Sequence, residues 1–347
     1  METKIEICLA ANAKYFPGMF NTAASIAMFA NRDYQLSFNL LGTDIGDADY
    51  VFLESRVSRI HGNVEFHRFN IAEHDFSELQ DWHGNKLAYA RFLIGWLRPE
   101  LEYVIYSDVD MLWLADIAKL WEMRDPNISI QGPYDGHSYD IGEDVIFAQQ
   151  GYCFNEDEYY CSGLLLMNLR RMRERKIAER CVEFLKSNHS FICPDQSALN
   201  IITKGDSAIL PRMWMKFTFD IRENRLTTPI VLHYANEIPW LRDRGSDLLT
   251  DTVLLWFCIH AYACGESIWY TLRRYFSPRR IILSRLLFIC ISNTILSFII
   301  HVVMKFFGCT TAFWRMKKWA QRVHIEISSG IDANILPRGN FRLFTVS

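Results

Sequence analysis

Residues 103–113 read Y-V-I-Y-S-D-V-D-M-L-W, and the rest of the chain can be arranged around this stretch. Its first four residues are apolar or aromatic, which predicts a short buried strand. Asp108 and Asp110 follow directly, and side chains two residues apart in extended backbone point the same way. Paired carboxylates repel each other unless a cation is present, and such oxygen ligands suit Mg²⁺ or Mn²⁺. The alternative is a surface turn whose two acids only cap the next helix.

The segment before this stretch alternates between strand-like and helix-like patterns. Apolar runs at 5–11, 35–41 and 64–69 predict strands, and the intervening runs at 19–30 and 51–60 predict helices. This β-α-β-α-β order predicts an α/β fold with a doubly wound, Rossmann-like sheet and right-handed crossovers. No G-x-G-x-x-G follows the first strand, so a dinucleotide-dependent oxidoreductase loses its main support.

The segments on either side of the acidic pair carry a second set of candidates. A helix is predicted over 85–97, and Arg91 lies in its otherwise apolar run. This arginine either extends its charge to the surface or faces a phosphate or sugar. A further helix is predicted over 116–124. The stretch 131–150 is rich in Gly, Asp and Tyr, which predicts a long loop acting as a lid or acceptor-binding segment.

Beyond residue 150 the sequence predicts two strands and two helices, at 160–169, 230–232, 170–186 and 194–202 respectively. Asp195 and Gln196 lie in the first turn of the last helix, where an acid can simply be a cap. His233 follows the last strand. Such a histidine is either structural or, if its strand joins the same sheet, a third metal ligand.

Charge and composition bound the class of protein. The net charge of −3 is uneven: residues 267–347 contain 12 Lys/Arg and 2 Asp/Glu, against 25 and 38 in residues 1–266. Half of the 347 residues are hydrophobic, which excludes a disordered chain and predicts one large domain over 1–265 and a basic tail over 266–347. The nine cysteines form no C-x-x-C pair and no signal peptide is evident, so we expect reduced thiols in a cytosolic setting.

The order of these motifs resembles glycosyltransferase family 8, the retaining galactosyl- and glucosyltransferases of bacterial lipopolysaccharide and related surface glycans. The resemblance covers about residues 4–240. It rests on A-A-N-A-K-Y at 10–15, Y-A-R at 89–91, S-D-V-D-M-L at 107–112, S-G-L-L-L-M-N-L at 162–169, P-D-Q-S-A-L-N at 194–200 and H-Y-A-N-E-I-P-W at 233–240. It implies a GT-A-type fold with a mixed sheet flanked by helices, a donor such as UDP-galactose or UDP-glucose, and Mn²⁺ or Mg²⁺.

The resemblance also implies roles for particular residues at the metal and the nucleoside. The metal ligands implied are Asp108, Asp110 and His233. The residues implied at the uridine are Ala10, Asn12 and Tyr15, with the Tyr15 ring against the base.

A second group of residues is implied at the sugar. Arg91 and Asp195 would meet the donor sugar, and Gln196 would lie near the reacting carbon. Asp195 and Gln196 are therefore the candidate catalytic residues. The remaining residues expected to contact the UDP-sugar are Val109 and Ser162.

Four positions depart from the family pattern. Asn12 and Cys161 stand where many members have Asp and Asn. Ser197 replaces the second acid of D-Q-D, and the usual Lys-Pro-Trp ending reads I-P-W at 238–240, without the diphosphate-contacting lysine. These changes imply a different donor sugar or weakened activity. The alternative function is therefore a catalytically weak or silent sugar-nucleotide or glycan-binding relative.

The predicted tail resembles a membrane-associating segment. Residues 281–303 are largely apolar over a length that can span a bilayer, but they include Arg285 and lie between basic, aromatic flanks. This pattern favours in-plane binding to an anionic membrane over a spanning helix. We expect a peripheral or monotopic protein on the cytoplasmic face of the inner membrane, with a glycolipid or lipid-linked oligosaccharide as acceptor. No nucleic-acid partner is expected, because the apolar run 281–303 would have no role in binding nucleic acid. A membrane-attached structural protein stays open, although the acidic pair and His233 disfavour it.

Overall fold

The computed structural model describes residues 3–72, 76–80, 86–135, 142–155, 158–188, 190–218, 225–227, 231–235, 238–241, 251–278 and 324–326. The chain divides into two compact units, Met1–Met215 and Lys216–Ser347. The apolar run 281–303 lies outside the described residues. Within the ranges above, no helix has the length and apolar character needed to cross a membrane. The division into a domain over 1–265 and a tail over 266–347 stays a prediction.

The first unit alternates strands and helices along most of its length. Its strands are β1 (Thr3–Ala11), β2 (Tyr34–Gly42), β3 (Val64–Asn70), β4 (Tyr103–Ser107), β5 (Met111–Trp113), β6 (Ile130–Pro133), β7 (Leu164–Asn168) and β8 (Ser207–Leu210). Its helices are α1 (Phe16–Phe29), α2 (Asp47–Ile60), α3 (Ile94–Leu97), α4 (Ile117–Trp121), α5 (Glu143–Gln149), α6 (Leu169–Glu174), α7 (Ile177–Ser187) and α8 (Pro194–Ile202). Short 3₁₀ turns occupy Ala13–Tyr15, Leu87–Phe92 and Arg212–Trp214.

Seven of these strands form one sheet in the order β3-β2-β1-β4-β7-β6-β8. β1 pairs in parallel with β2 and with β4, and β2 pairs in parallel with β3. β7 runs antiparallel to its neighbours β4 and β6. The sheet is therefore mixed and mainly parallel, which agrees with the α/β fold class predicted from the sequence.

The sheet is apolar on both faces where helices cover it. Ile7 and Leu9 on one face of β1 and Cys8 on the other are all fully buried, as expected of a parallel strand with a covered surface on each side. α1 carries small residues, including the buried Ala23 and Ala27. Small side chains let a helix lie close to its neighbours, and α1 contacts β5, the strand that follows the acidic pair, through Thr22 and Ser25.

The structure corrects two predicted segments. The stretch 131–150 is not one loop, because β6 enters it and α5 occupies its end. β6 contains Gly132, where an added Cβ would lie 2.8 Å from the Tyr160 ring. β6 pairs with β7 on one side and β8 on the other, and this pairing overrides its weak strand composition. The predicted helix over 170–186 is interrupted between α6 and α7, where Lys176 has a φ of 51°.

The predicted helix over 85–97 is also wrong in type. Residues Leu87–Phe92 form a 3₁₀ segment, and only α3 is α-helical. Arg91 Nε donates a hydrogen bond to the carbonyl of Ala88 at 2.8 Å. In an α-helix that carbonyl would accept from the N–H of Phe92. The side chain of Arg91 therefore occupies the Ala88 carbonyl, which the predicted α-helix would need as a backbone acceptor.

The second unit has two helices around an aromatic cluster among its described residues. Its elements are β9 (Met215–Phe217, at the boundary), β10 (Arg225–Thr227), β11 (Val231–His233), α9 (Asp251–Cys264), α10 (Ile268–Tyr275) and β12 (His324–Glu326). Trp256 stacks on Trp240 at 5.2 Å between ring centroids. Phe257 contacts the rings of Tyr275 and Phe276, which ties α10 to α9.

Candidate active site

Asp108 and Asp110 lie in the turn between β4 and β5, as the sequence predicts. The turn is held from the side by α1, since Thr22 Oγ1 lies 3.0 Å from the carbonyl of Val109 and 2.7 Å from that of Met111. From the opposite strand, the carbonyl of Gly163 accepts a hydrogen bond from the N–H of Asp108 at 2.7 Å. These contacts fix the backbone of the turn, so the two half-buried carboxylates are attached at defined positions.

Arg91 is the centre of a buried charge network beside the acidic turn. It is 3% exposed, and its guanidinium lies 3.0 Å from Asp108 Oδ1 and 3.1 Å from Asp195 Oδ2. It also donates to the carbonyl of Ser162 and lies over the Tyr106 ring at 4.6 Å. Burial alone would lower the pKa of Arg91, but the nearby carboxylates of Asp108 and Asp195 outweigh it and the pKa is raised. Arg91 is therefore always charged, and it joins two acids from different elements. The surface alternative for Arg91 is excluded.

Asp195 and Gln196 are held by a chain of hydrogen bonds. Ser162 Oγ donates to Asp195 Oδ2 at 3.0 Å, and the N–H of Ser162 donates to Gln196 Oε1 at 2.8 Å. At the other end of the amide, Gln196 Nε2 donates to Asp135 Oδ2 at 2.7 Å. All four residues are 5% exposed or less. Because both ends of the Gln196 amide are engaged, its orientation is fixed.

Asp108, Asp110 and His233 form an acid-acid-imidazole group. One carboxylate oxygen from each aspartate and one ring nitrogen of His233 all lie within 4.8 Å of one another. The Phe217 ring stacks on the imidazole with the centroids 4.9 Å apart. Two carboxylates and one imidazole fit a hard or borderline divalent cation such as Mn²⁺ or Mg²⁺. The residue types and their closeness therefore suit a metal ion.

The implied uridine residues lie at the carboxyl end of β1 or just after it. Ala10 is 8% exposed at the end of the strand, and Asn12 Oδ1 accepts a hydrogen bond from the N–H of Tyr15 at 3.1 Å. The N–H of Ala13 donates to Asp44 Oδ1 at 2.7 Å. Because β1 and β4 are parallel neighbours, this turn and the acidic pair follow strand ends on the same edge of the sheet. Asn12 thus caps a 3₁₀ turn next to the site, a role that the sequence analysis did not assign to it.

The sequence analysis missed four residues that shape this site. Tyr106 Oη donates to Asp108 Oδ1 at 2.9 Å, and Thr22 holds the backbone of the acidic turn. Asp135 orients Gln196, and Glu143 accepts a hydrogen bond from Ser197 Oγ. Asp135 and Glu143 lie in the stretch 131–150, and the prediction that this stretch acts at the site was the signal that could have identified them. No pattern marked Thr22 or Tyr106 as more than core residues.

A mixed sheet with an acidic pair after its central strand is the arrangement of a GT-A-type glycosyltransferase. The sequence profile described as Glycosyl transferase family 8 matches residues 6–244, and the chain belongs to that family.

Individual relatives are distant but cover much of the chain. General stress protein A of Bacillus subtilis (strain 168) is 25% identical over 256 residues, covering 66% of this chain and 83% of that protein. The lipopolysaccharide 1,2-glucosyltransferase of Escherichia coli (strain K12) is 20% identical, covering 60% of this chain and 61% of its own. The crystal structure of galactosyltransferase LgtC with donor and acceptor sugar analogs superposes with a TM-score of 0.59 at 20% identity, covering 74% of this chain and 95% of that one. This last likeness shows the fold.

Proposed function

We propose that this glycosyltransferase moves galactose or glucose from a UDP-sugar onto a lipid-linked surface glycan, with retention of configuration and with Mn²⁺ or Mg²⁺. The observation that carries the proposal is the close group of Asp108, Asp110 and His233. It supports a metal site of the kind that a departing diphosphate needs. The two relatives named as a lipopolysaccharide glucosyltransferase and a galactosyltransferase support the choice of hexose and of glycan.

The site residues account for the two charges that the reaction creates. A divalent cation held by Asp108, Asp110 and His233 would stabilise the negative charge on the diphosphate. The sugar passes through an oxocarbenium-like state, for which Asp195 offers a buried, fixed negative charge. Arg91 holds Asp195 in place, and its positive charge offsets the repulsion between the carboxylates of Asp195 and Asp108.

We infer front-face attack rather than a covalent intermediate. The amide of Gln196 is a weak nucleophile, and both of its ends are engaged by Ser162 and Asp135. The acceptor oxygen would bond to the anomeric carbon from the side that UDP leaves, and the departing phosphate would take the acceptor's proton. The first-formed product would then keep the α configuration of the donor, which NMR of the glycoside measures. A β anomer would contradict this route.

The metal proposal is tested by UDP release from UDP-galactose and UDP-glucose. We expect turnover with Mn²⁺ and loss of turnover in excess chelator. Asp110→Ala should abolish turnover and Mn²⁺-dependent UDP binding together, because one of three ligands is removed. Asp33→Ala, the same change at an exposed aspartate, is the matched control and should behave like the unaltered protein. Full activity of the unaltered protein in chelator would sink the proposal.

A silent binding relative is the second candidate, and Ser197 and the missing lysine near 238–240 favour it. Such a protein would bind a UDP-sugar, seen as thermal stabilisation, without releasing UDP in the presence of any acceptor. Turnover that rises with a glycan acceptor excludes this candidate.

We further propose that the protein docks on an anionic membrane surface on the cytoplasmic side. Trp269 and Tyr270 of α10 are 57% and 60% exposed, and Arg273 and Arg274 lie on the same short helix. Exposed aromatic rings with adjacent basic residues suit the interface between lipid headgroups and acyl chains. The basic composition of residues 267–347 supports the same role.

A further inference from the structure

Glu143, the first residue of α5, has a buried carboxylate with defined partners. The residue is 0% exposed. Its Oε2 accepts a hydrogen bond from the N–H of Ile192 at 2.8 Å, and its Oε1 accepts from the N–H of Cys193 at 3.5 Å and from Ser197 Oγ. Burial raises the pKa of Glu143, and the three donors oppose that rise. All three donors belong to the start of α8 or to the residues just before it.

The start of α8 lacks a cap from its own sequence. Its N-cap residue is Cys193, whose side chain makes no capping hydrogen bond, and Pro194 follows. Backbone N–H groups at a helix start need acceptors, and the helix dipole favours a negative charge there. From a position 49 residues earlier in the chain, Glu143 accepts from the N–H of Ile192, just before the helix, and at 3.5 Å from the N–H of the N-cap residue Cys193. It acts as a partial cap, supplied by another helix, at the entry to α8.

The contact with Ser197 places this cap beside the candidate catalytic residues. Ser197 is fully buried, follows Gln196 directly, and its Oγ lies 3.1 Å from Tyr159 Oη. Ser197 also stands where the family pattern has an acid. The carboxylate that the D-Q-S segment lacks is therefore contributed to the same helix turn by Glu143.

The helix that carries Glu143, α5, is itself packed into an aromatic cluster. Phe147 of α5 contacts the rings of Phe154, Tyr159 and Phe191, and these residues form a separate aromatic cluster. Phe191 immediately precedes Ile192, whose N–H binds Glu143. A rigid cluster thus joins α5 to the chain that leads into α8, and the carboxylate has little freedom to move.

We propose that Glu143 is a positioning residue for the glycosyl transfer, holding the first turn of α8 through Ser197 so that Asp195 and Gln196 stay in register with the sugar. This inference rests on the proposed function for its kinetic readout. It concerns a residue that acts through its neighbours rather than by touching the substrate.

Kinetics of UDP release separate this role from general stability. Displacement of reacting groups by about 1 Å can reduce a rate about 100-fold. For Glu143→Ala we expect kcat to fall about 10- to 100-fold while KM for the UDP-sugar changes less than about threefold. Glu143→Gln keeps an acceptor oxygen and should lose less. Asp144→Ala removes the adjacent but exposed carboxylate of α5 and should match the unaltered protein.

A double-mutant cycle tests whether Glu143 acts through Ser197. If it does, Glu143→Ala and Ser197→Ala remove the same link, so the double variant should lose no more kcat than the worse single variant. Multiplied losses, or a loss of kcat in Asp144→Ala equal to that in Glu143→Ala, would overturn the inference.

Amide hydrogen exchange gives a readout that does not depend on activity. In the full chain, Glu143→Ala should speed exchange in the peptide covering residues 191–197, whereas Asp144→Ala should leave it unchanged. Glu143→Gln serves in place of Glu143→Ala if the alanine variant does not fold. Equal exchange rates in the variant and the control would refute the capping role. Failure of the unaltered protein to release UDP from any UDP-sugar would instead count against the proposed function alone.

Discussion

Arg91 joins the carboxylates of Asp108 and Asp195, which come from different elements of the chain. Asp195 is 5% exposed, and Arg91 itself is 3% exposed. Removing one member of a buried ion pair leaves a charge without compensation, which costs about 3–5 kcal/mol. Arg91→Met keeps much of the side-chain volume but removes the charge. We therefore expect the free energy of unfolding, measured with urea, to fall by about that amount.

The matched control for this prediction is Arg170→Met. Arg170 is paired with Glu102 at 3.5 Å, but both side chains are more than half exposed. Exposed pairs contribute about 0–1 kcal/mol, so this variant should change stability little. Similar losses in the two variants would mean that Arg91 does not hold a buried charge network.

At the residue scale, position relative to strand ends was the signal for the candidate site. Asp108 and Asp110 directly follow an apolar strand, and ligands of open α/β sheets collect at the carboxyl ends of the strands. Tyr106 and Glu143 could not be found this way. Tyr106 alternates within a strand like any core aromatic residue, and the partners of Glu143 lie 49 or more residues away. Only side-chain geometry in the folded chain assigns them.

Among the elements, α1 has a polar contact that is easily overlooked in a helix of small residues. Thr22 Oγ1 has one hydrogen and lies near two buried carbonyls, those of Val109 and Met111. Thr22→Val keeps the shape but leaves both carbonyls without that partner, at a cost of about 1–3 kcal/mol. We expect lower stability and weaker Mn²⁺-dependent UDP binding by calorimetry, because the turn carrying Asp108 and Asp110 loosens.

Thr22→Ser is the control for this prediction, since it keeps the hydroxyl and removes only a methyl group. It should retain most of the UDP affinity. If Thr22→Val binds UDP as tightly as the unaltered protein, then α1 does not set the geometry of the acidic turn.

At the element scale, the order of strands and helices in the first 70 residues was predictable from apolar runs and their spacing. The reversed direction of β7 was not, because a strand buried on both faces has the same composition in either direction. β6 was missed for a different reason. Its Gly132 and Pro133 are poor strand formers, and pairing with β7 and β8 decides its conformation.

For the whole molecule, the uneven charge and the exposed rings of α10 predict membrane binding. The full chain should sediment with vesicles, more strongly when they contain anionic lipid, and high salt should release only part of it. Replacing Trp269 and Tyr270 by serine should weaken sedimentation, because both rings are more than half exposed and available to the interface.

Trp96→Ser is the matched control for sedimentation, since Trp96 is 43% exposed but lies on α3 of the first unit. It should sediment like the unaltered protein. A full chain that stays in the supernatant with anionic vesicles would rule out the docking surface and favour a soluble acceptor. The boundary at 265 would be a poor place to cut the chain for such work, because Tyr275 and Phe276 pack on Phe257.

The pairing of β4 bears on the sequence of events during synthesis. β1, β2 and β3 are matched over nine and seven residue pairs, and all of them have left the ribosome once residue 70 has emerged. β4 shares only two pairs with β1 but five with β7, which is translated some 60 residues later. Chains fold from the N-terminus as they are made, at about 5–20 residues per second. The acidic turn should therefore gain its final shape only several seconds after the first three strands, and a nascent chain arrested before residue 164 should be folded at its start and yet unable to bind a nucleotide.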